Sequence, residues 1–341
     1  MSKVVIVTGV TGQDGSLMVD YLLENTDYKI YGGVRRLSVS NHTNISHIDN
    51  PRFELFNFDL TDAHSIEGAI TKYKPDYFVN VAAQSFVGSS WDFPVQTYAT
   101  NTTGVLHILE AIRKHHPVCR FYNAGSSEEF GDVVGLSQNE THPLRPRSPY
   151  GASKASARLL VKVYRESYDL FAIQGWLFNH EGIRRGREFV TRKITQGVAR
   201  IHHAINNGEA YDPILLGNLD SRRDWSDAED MVRAIWQMLI NEQPVEYVIG
   251  SGEAHSVREF VQEAFSAAGI NGTWHGIETD ETYTNPSGDL VNISKEFYRP
   301  AEVDFLKADI SKAQLELNWK PECTFKELVT KMVQNDINLH A

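Results

Sequence analysis

Cysteine is scarce in this chain: Cys119 and Cys323 are the only two in 341 residues, too few for a disulfide framework. Long apolar runs are missing too. No segment approaches the ~18 consecutive apolar residues that suggest a membrane helix. The chain enters an apolar stretch at Val4–Val7 without a charged leader or cleavage pattern, so the expectation is a cytoplasmic protein with no membrane association. Positive charge is in the minority, with 33 Lys and Arg against 44 Asp and Glu and a net charge of −11. That balance argues against nucleic acid as a general partner, yet leaves room for a local anion site. No Cys-x-x-Cys, His-Glu-x-x-His or P-loop pattern occurs, so no metal is expected.

What is present is ordinary for a globular protein: 41% hydrophobic and 23% charged residues. Short apolar runs alternate with helical patterns through the first half. Strands are predicted at Val4–Val7, Lys29–Val34, Phe53–Phe58, Tyr77–Val81, Arg120–Ala124 and Phe171–Leu177. Helices are predicted at Ser16–Leu23, Asp62–Tyr73, Thr97–Lys114 and Pro149–Ser167. This rhythm implies an α/β fold, a doubly wound parallel Rossmann sheet. Beyond Asn179 the pattern loosens, with helices expected near Glu188–Ile205, Asp227–Leu239, Val257–Ala268 and Phe325–Asn335. The expected division is a nucleotide-binding domain over 1–178 and a smaller, interleaved C-terminal α/β lobe over 179–341, with a strand able to return to the first sheet.

Gly9-Val10-Thr11-Gly12-Gln13-Asp14-Gly15 joins the first strand to the first helix. Glycines there permit a tight turn and close approach of backbone N–H groups to a pyrophosphate. Arg35-Arg36 ends the second strand, where Asp or Glu would select NAD; an arginine fork instead suits the 2′-phosphate of NADP. The polar loop Leu37–Asn50 is expected to be mobile or ordered by another subunit. Asp59-Leu60 could reach the adenine edge, or the stretch could serve only as a helix start with an N-cap near Thr61-Asp62. Ala82 and Ala83 let a cofactor lie flat, and Gln84 and Ser85 could bind cofactor or sugar.

Ser126-Ser127-Glu128-Glu129 follows the fifth strand, and Tyr150 and Lys154 lie four residues apart on the next helix. An ammonium near a phenol, whose ordinary pKa is about 10, favours the phenolate. One of the two glutamates is expected to face the site and the other to face solvent. The group as a whole suits removal of a hydroxyl proton while a hydride leaves the adjacent carbon.

The glycine loop with Tyr-x-x-x-Lys resembles the extended short-chain dehydrogenase/reductase superfamily. VTGVTGQDGS, VRRL, AAQS, LFNHEGIRRGREFVTRK, LGNLDSRRDW, YRPAEV and NWKP together resemble the GDP-mannose 4,6-dehydratase family along nearly the whole chain. The resemblance implies an NADP-dependent hydro-lyase acting on GDP-mannose or a related GDP-hexose, assembled as a homotetramer, with a dimer as the alternative. By matched position it implies that Ser126 binds the C4 hydroxyl, Tyr150 takes its proton, Lys154 holds the nicotinamide ribose and Glu128 takes the C5 proton. His180 and Arg185 match cofactor residues. Asn179, Val190, Lys193, Arg223, Arg299 and Glu302 match residues that hold GDP. Phe86 stands where the family has His, and Gly182-Ile183 replaces its Ser-Pro. GSSEE with LRPRSPYGASKAS is similar to sister reductases that reduce the 4-keto product with NADPH, so a reductase or a bifunctional enzyme remains the alternative reading.

Overall fold

The computed structural model describes residues 2–133, 135, 137–297 and 303–340. Its centre is a seven-stranded sheet of β1 (Val4–Thr8), β2 (Lys29–Val34), β3 (Phe53–Asn57), β4 (Tyr77–Asn80), β5 (Arg120–Ala124), β6 (Ala172–Leu177) and β7 (Val248–Ile249). The order is β7-β6-β5-β4-β1-β2-β3, and every neighbouring pair runs parallel. The six strands predicted from apolar runs all form. β7 returns from far along the chain, as a strand only two residues long.

Burial on both faces is why β1, β4, β5 and β6 read as runs rather than alternating strands, whereas the edge strand β3 is partly exposed along its length. Helices α1 (Gln13–Asn25), α2 (Ala63–Tyr73), α3 (Gly104–His115), α4 (Pro149–Tyr168), α5 (Val190–Asn207), α6 (Ala228–Ile240), α7 (Val257–Ala267) and α8 (Phe325–His340) complete the layers. Met18, Val19 and Leu22 of α1 pack with Met231, Ile235 and Leu239 of α6 on one face. Ile66 and Ile70 of α2, Ile108 and Leu109 of α3 and Val161 of α4 cover the other. A separate core joins α5, α7 and α8 to a four-stranded sheet built from Ile214–Leu216, Thr273–His275, Thr282–Asn285 and Gly288–Ile293.

Local chemistry sets the helix starts. Ser148 caps α4 by accepting from Gly151 N, and Pro149 follows at the first turn. Asp62 caps α2, within the expected Thr61-Asp62 start, accepting from His64 N; Asp59 closes the preceding turn by accepting from Thr61 N and Oγ1. The helix predicted over Thr97–Lys114 is interrupted. Pro94–Tyr98 is a short helix, Ala99–Thr103 widens into a π-helical turn, and only then does α3 begin. Gly104 admits this path, because a Cβ there would lie 2.8 Å from Leu60 O.

The strand order reverses between β1 and β4, so their following loops diverge and leave a crevice above the carboxyl ends. The glycine loop after β1, residues 81–86 after β4 and residues 125–128 after β5 all open there.

Candidate active site

The glycine loop owes its shape to close backbone packing. Gly9 has φ +68°, and an added Cβ would sit 2.9 Å from Ala82 N. A Cβ on Gly15 would fall 2.3 Å from Gly9 O, so only glycine lets α1 start so close to β1. Gly12 N donates to Gly9 O at 2.9 Å, closing the turn. The N-terminus of α1 then faces a cavity of about 1130 Å³ lined by Gly9, Thr11, Gly12, Gln13, Asp14, Gly15, Arg35, Asp59, Leu60, Ala82, Ala83, Gln84, Ser85 and Arg185. A helix start bordered by glycine, with its first N–H groups lacking intrahelical partners, is a cradle for a diphosphate.

Most of the residues expected to contact a cofactor are thus gathered at one cavity. Arg36 is not: it is exposed and does not line either cavity. Strand β2 stops at Val34, so both arginines lie just beyond it rather than ending it, and of the two only Arg35 lines the crevice. Arg184, Arg185 and Arg187 add a basic rim. Gln84 is already engaged, donating to Phe86 O at 2.9 Å and accepting from Thr97 Oγ1 at 3.3 Å. Part of the Leu37–Asn50 loop is anchored within this chain. Asn44 Nδ2 donates to Thr11 O at 3.0 Å and Ile45 is buried, which ties the second half of the loop to the glycine turn.

A smaller cavity of about 610 Å³ opens from the first, sharing Asp14, Ser85, Phe86, Arg185 and Phe189 with it. Ser126, Glu128, Tyr150, Lys154, Asn179, His180, Val190, Lys193 and Arg223 line it. Tyr150, Lys154 and His180, assigned from sequence to the cofactor, therefore lie on the sugar-sized side of the junction. Ser126 Oγ accepts from Glu128 N at 3.2 Å and is hydrogen-bonded to the Tyr150 phenol. Lys154 Nζ donates to Ala124 O at 2.8 Å and lies 5.9 Å from the centre of the Tyr150 ring.

Two expectations need correction here. Burial pushes the Tyr150 phenol up to about 12, and the charges of Glu128 and Glu129 add to this, outweighing the Ser126 hydrogen bond and Arg185. Lys154, turned to a carbonyl, does not reverse that. Its own pKa falls to about 8 through burial. Nor does either glutamate face solvent. Glu128 is 8% exposed and Glu129 is fully buried, because Glu129 pairs with Arg158. The Ser-x-x-Glu spacing of a capping box, Ser126 to Glu129, was the available signal.

Asp14 and His180 bind the glycine loop to the strand Asn179–Glu181. His180 Nε2 meets Asp14 Oδ2 at 2.9 Å, and Nδ1 meets Phe178 O at 2.7 Å. Burial alone would raise the Asp14 carboxyl, but the charge and hydrogen bond of His180 bring it down to about 2 from 3.8. Burial likewise works against a charged His180, and Asp14 outweighs it, so His180 is raised from 6.5. The depressed Asp contributes stability above its ordinary pKa, lost as pH falls towards 2. The raised His contributes stability below 6.5, lost as pH climbs through its folded value. The gap in unfolding free energy between wild type and Asp14→Asn is therefore expected to peak between those limits, at about 2 kcal/mol, and to narrow on both sides. A gap constant across pH 3 to 9 would show that the pair carries no such charge.

The far end of the smaller cavity is lined by Lys193, Asn218, Ser221, Arg223, Glu296 and Phe297. Lys193 Nζ lies 3.3 Å from the centre of the Phe297 ring, and burial lowers its pKa. Arg223 is 7% exposed and donates to Arg222 O at 3.0 Å. Arg299 and Glu302 lie outside the described residues. Phe86 meets Phe189 edge-to-face at 5.7 Å, and the Arg185 guanidinium lies 3.5 Å from the Phe189 ring centre, so an aromatic contact spans the junction between the cavities. Among the described residues there is no cluster suited to a metal ion, and no helix is long and apolar enough to cross a membrane.

The family model described as GDP-mannose 4,6 dehydratase matches residues 6–332. The GDP-mannose 4,6 dehydratase of Drosophila melanogaster is 45% identical over 99% of this chain and 87% of its own length. Among solved structures, UDP-glucose 4-epimerase from Thermotoga maritima with UDP-glucose aligns at TM-score 0.83 and 23% identity, covering 99% of this chain and 100% of that one. A dTDP-glucose 4,6-dehydratase from Streptomyces venezuelae with NAD bound aligns at TM-score 0.82 and 23% identity, covering 97% of this chain and 96% of that one.

Proposed function

This chain belongs to the GDP-mannose 4,6-dehydratase family, and from that premise we propose that its two joined cavities carry out the dehydration of GDP-mannose to GDP-4-keto-6-deoxymannose with a resident nicotinamide cofactor. The observation that carries the reading is Glu128. A buried carboxylate faces the same small cavity as Ser126, Tyr150 and Lys154. Alcohol oxidation alone needs no second base there; removal of a C5 proton does. Sister reductases share the GSSEE segment, so what favours the dehydratase over them is the family model and the named relative.

The larger cavity fits a dinucleotide by its glycine cradle and basic rim. Gly9, Thr11, Gly12, Gln13, Asp14 and Gly15 would hold the diphosphate, and Arg35 the 2′-phosphate of NADP. When bound, NADP would supply a hydride acceptor for C4, a hydride donor for C6 and a cationic ring that opposes the two carboxylates raising the Tyr150 phenol. Ser126 would hydrogen-bond the C4 oxygen as Tyr150 takes its proton, and Lys154 would hold the nicotinamide ribose. The 4-keto group then acidifies C5–H; Glu128 removes that proton and delivers it to the departing C6 hydroxyl, so that one water leaves. Lys193 and Arg223 would hold the diphosphate of GDP at the far end, with Asn179 and Val190 beside the path. Energy gained there would hold the hexose in register with the base pair at the near end.

Self-association, to a dimer or tetramer, is supported by Val95 at 82% exposure together with exposed Trp91, Phe93, Leu159 and Val163 on adjoining helical segments. The functional test is turnover of GDP-mannose with cofactor well below stoichiometry. The expected product is lighter by one water, with no net reduced cofactor, and NADP⁺ should outperform NAD⁺. Stoichiometric NADPH consumption on the 4-keto sugar, without turnover of GDP-mannose, would establish the reductase instead.

A further inference from the structure

Beneath the catalytic cluster a row of buried side chains crosses four strands in register. Thr8 faces Asn80, Asn80 faces Asn123 and Asn123 faces Gln174 across successive parallel pairs. Thr8 Oγ1 donates to Asn80 Oδ1 at 2.6 Å, Asn80 Nδ2 to Asn123 Oδ1 at 2.7 Å, and Asn123 Nδ2 to Gln174 Oε1 at 2.6 Å. Gln174 Nε2 then donates both to Glu129 Oε1 and to Lys154 O, each at 3.0 Å. All five residues are at most 2% exposed. Every bond in the row points the same way, so the row has a donor end beside the glycine loop and needs a pure acceptor at the other.

Glu129 is that acceptor. Its carboxylate also takes the Ser126 N–H at 2.8 Å and the Arg158 Nε–H at 2.5 Å. Arg158 in turn donates to Gln174 O and lies 3.4 Å from the Trp176 ring centre. Gly125 completes the fit: a Cβ there would lie 2.7 Å from Arg158 Nη2 and 2.8 Å from Glu129 Oε1. One buried carboxylate is thus bonded directly to the backbone of Ser126 and, through Gln174, to the backbone of Lys154.

We propose that Glu129 is a positioning residue for the dehydration. It acts as the charged terminus of the Thr8–Asn80–Asn123–Gln174 row, holding Ser126 and Lys154 at the spacing that C4 oxidation needs. The inference rests on the proposed reaction and concerns a residue that does not line either cavity. The pairing is not required for burial as such, since a buried ion pair can be replaced by apolar side chains of similar volume without loss of the fold. Its value lies in directing hydrogen bonds, which apolar side chains cannot do. Cooperative polarisation along a fully satisfied buried row adds stiffness to that direction.

Two variants test this beside the wild-type enzyme. Glu129→Gln keeps shape but sets an amide N–H₂ against donors. Glu129→Leu with Arg158→Met removes both charges, and Glu246 keeps Arg165 at 3.1 Å as a partner. In both, kcat is expected to fall at least about tenfold through lost alignment while KM for GDP-mannose stays within about twofold, because the nucleotide end is untouched. Reduced cofactor is expected not to build up in either, since the oxidation step itself is slowed. A folded apolar pair with wild-type kcat, or a loss confined to KM, would overturn the inference. Wild type inactive on GDP-mannose would count against the dehydratase reading itself.

Discussion

With Glu128→Gln, GDP-mannose is expected to be oxidised at C4 but not dehydrated. Net dehydration should fall by about 10²- to 10⁴-fold, the range a positioned general base contributes. A glutamine fills the same volume and can keep the 3.2 Å backbone contact from Glu128 N to Ser126 Oγ, which does not involve the side chain. What it cannot do is take the C5 proton. The chemistry should therefore stall at the 4-keto sugar before elimination, with the near-ultraviolet absorbance of reduced nicotinamide accumulating on the enzyme in a single turnover. Substrate affinity should change little, because Lys193 and Arg223 at the far end of the cavity are unaltered. Replacing a carboxylate by an amide also removes one of the charges that raise the Tyr150 phenol, so the first half-reaction should be no slower than in wild type. Wild-type turnover by this variant would remove Glu128 from the mechanism. Loss of activity without reduced cofactor would move it to the oxidation step.

Tyr150→Phe is expected to lose both halves of the reaction. Without the phenol no group accepts the C4 hydroxyl proton, and kcat should drop about 10²- to 10⁴-fold with no reduced cofactor in a single turnover. The fold should persist. The ring is 8% exposed, and removing the hydroxyl breaks its hydrogen bond with Ser126 without opening a cavity. Cofactor affinity should be nearly preserved, because the glycine cradle lies on another loop. The pair of variants is more informative than either alone: Glu128→Gln traps an oxidised sugar, whereas Tyr150→Phe prevents its formation. If Tyr150→Phe also trapped reduced cofactor, the proton would be leaving C4 by another route.

Much of this arrangement was legible in the residues. Apolar runs marked β1 to β6, most plainly β1, β4, β5 and β6, because strands covered on both faces need no alternation. The glycine loop, Arg35 and the Tyr-x-x-x-Lys pair followed from known demands of diphosphate, phosphate and hydroxyl chemistry. The return of a strand to the first sheet was expected, but the position of β7 was not legible, since two apolar residues carry no periodicity and its place is set only by pairing with β6. The π-helical turn at Ala99–Thr103 was hidden for a different reason: the sequence there holds no proline or glycine to mark a break, and packing against the 60 region decides it. Lys154 was read correctly as a neighbour of Tyr150 but not as a donor to Ala124 O, because spacing on a helix says which residues share a face and nothing about which acceptor wins. Glu129 was mistaken for a possible surface acid because its partners, Arg158 and Gln174, come from later elements.

The most direct test of the central claim uses GDP-mannose deuterated at C4, turned over with a trace of unlabelled NADP⁺. The account predicts a 4-keto product that has lost one water and carries the deuterium at C6, since the hydride taken from C4 returns within the same active site. Deuterium found instead in the recovered cofactor pool, with an unlabelled C6, would contradict it.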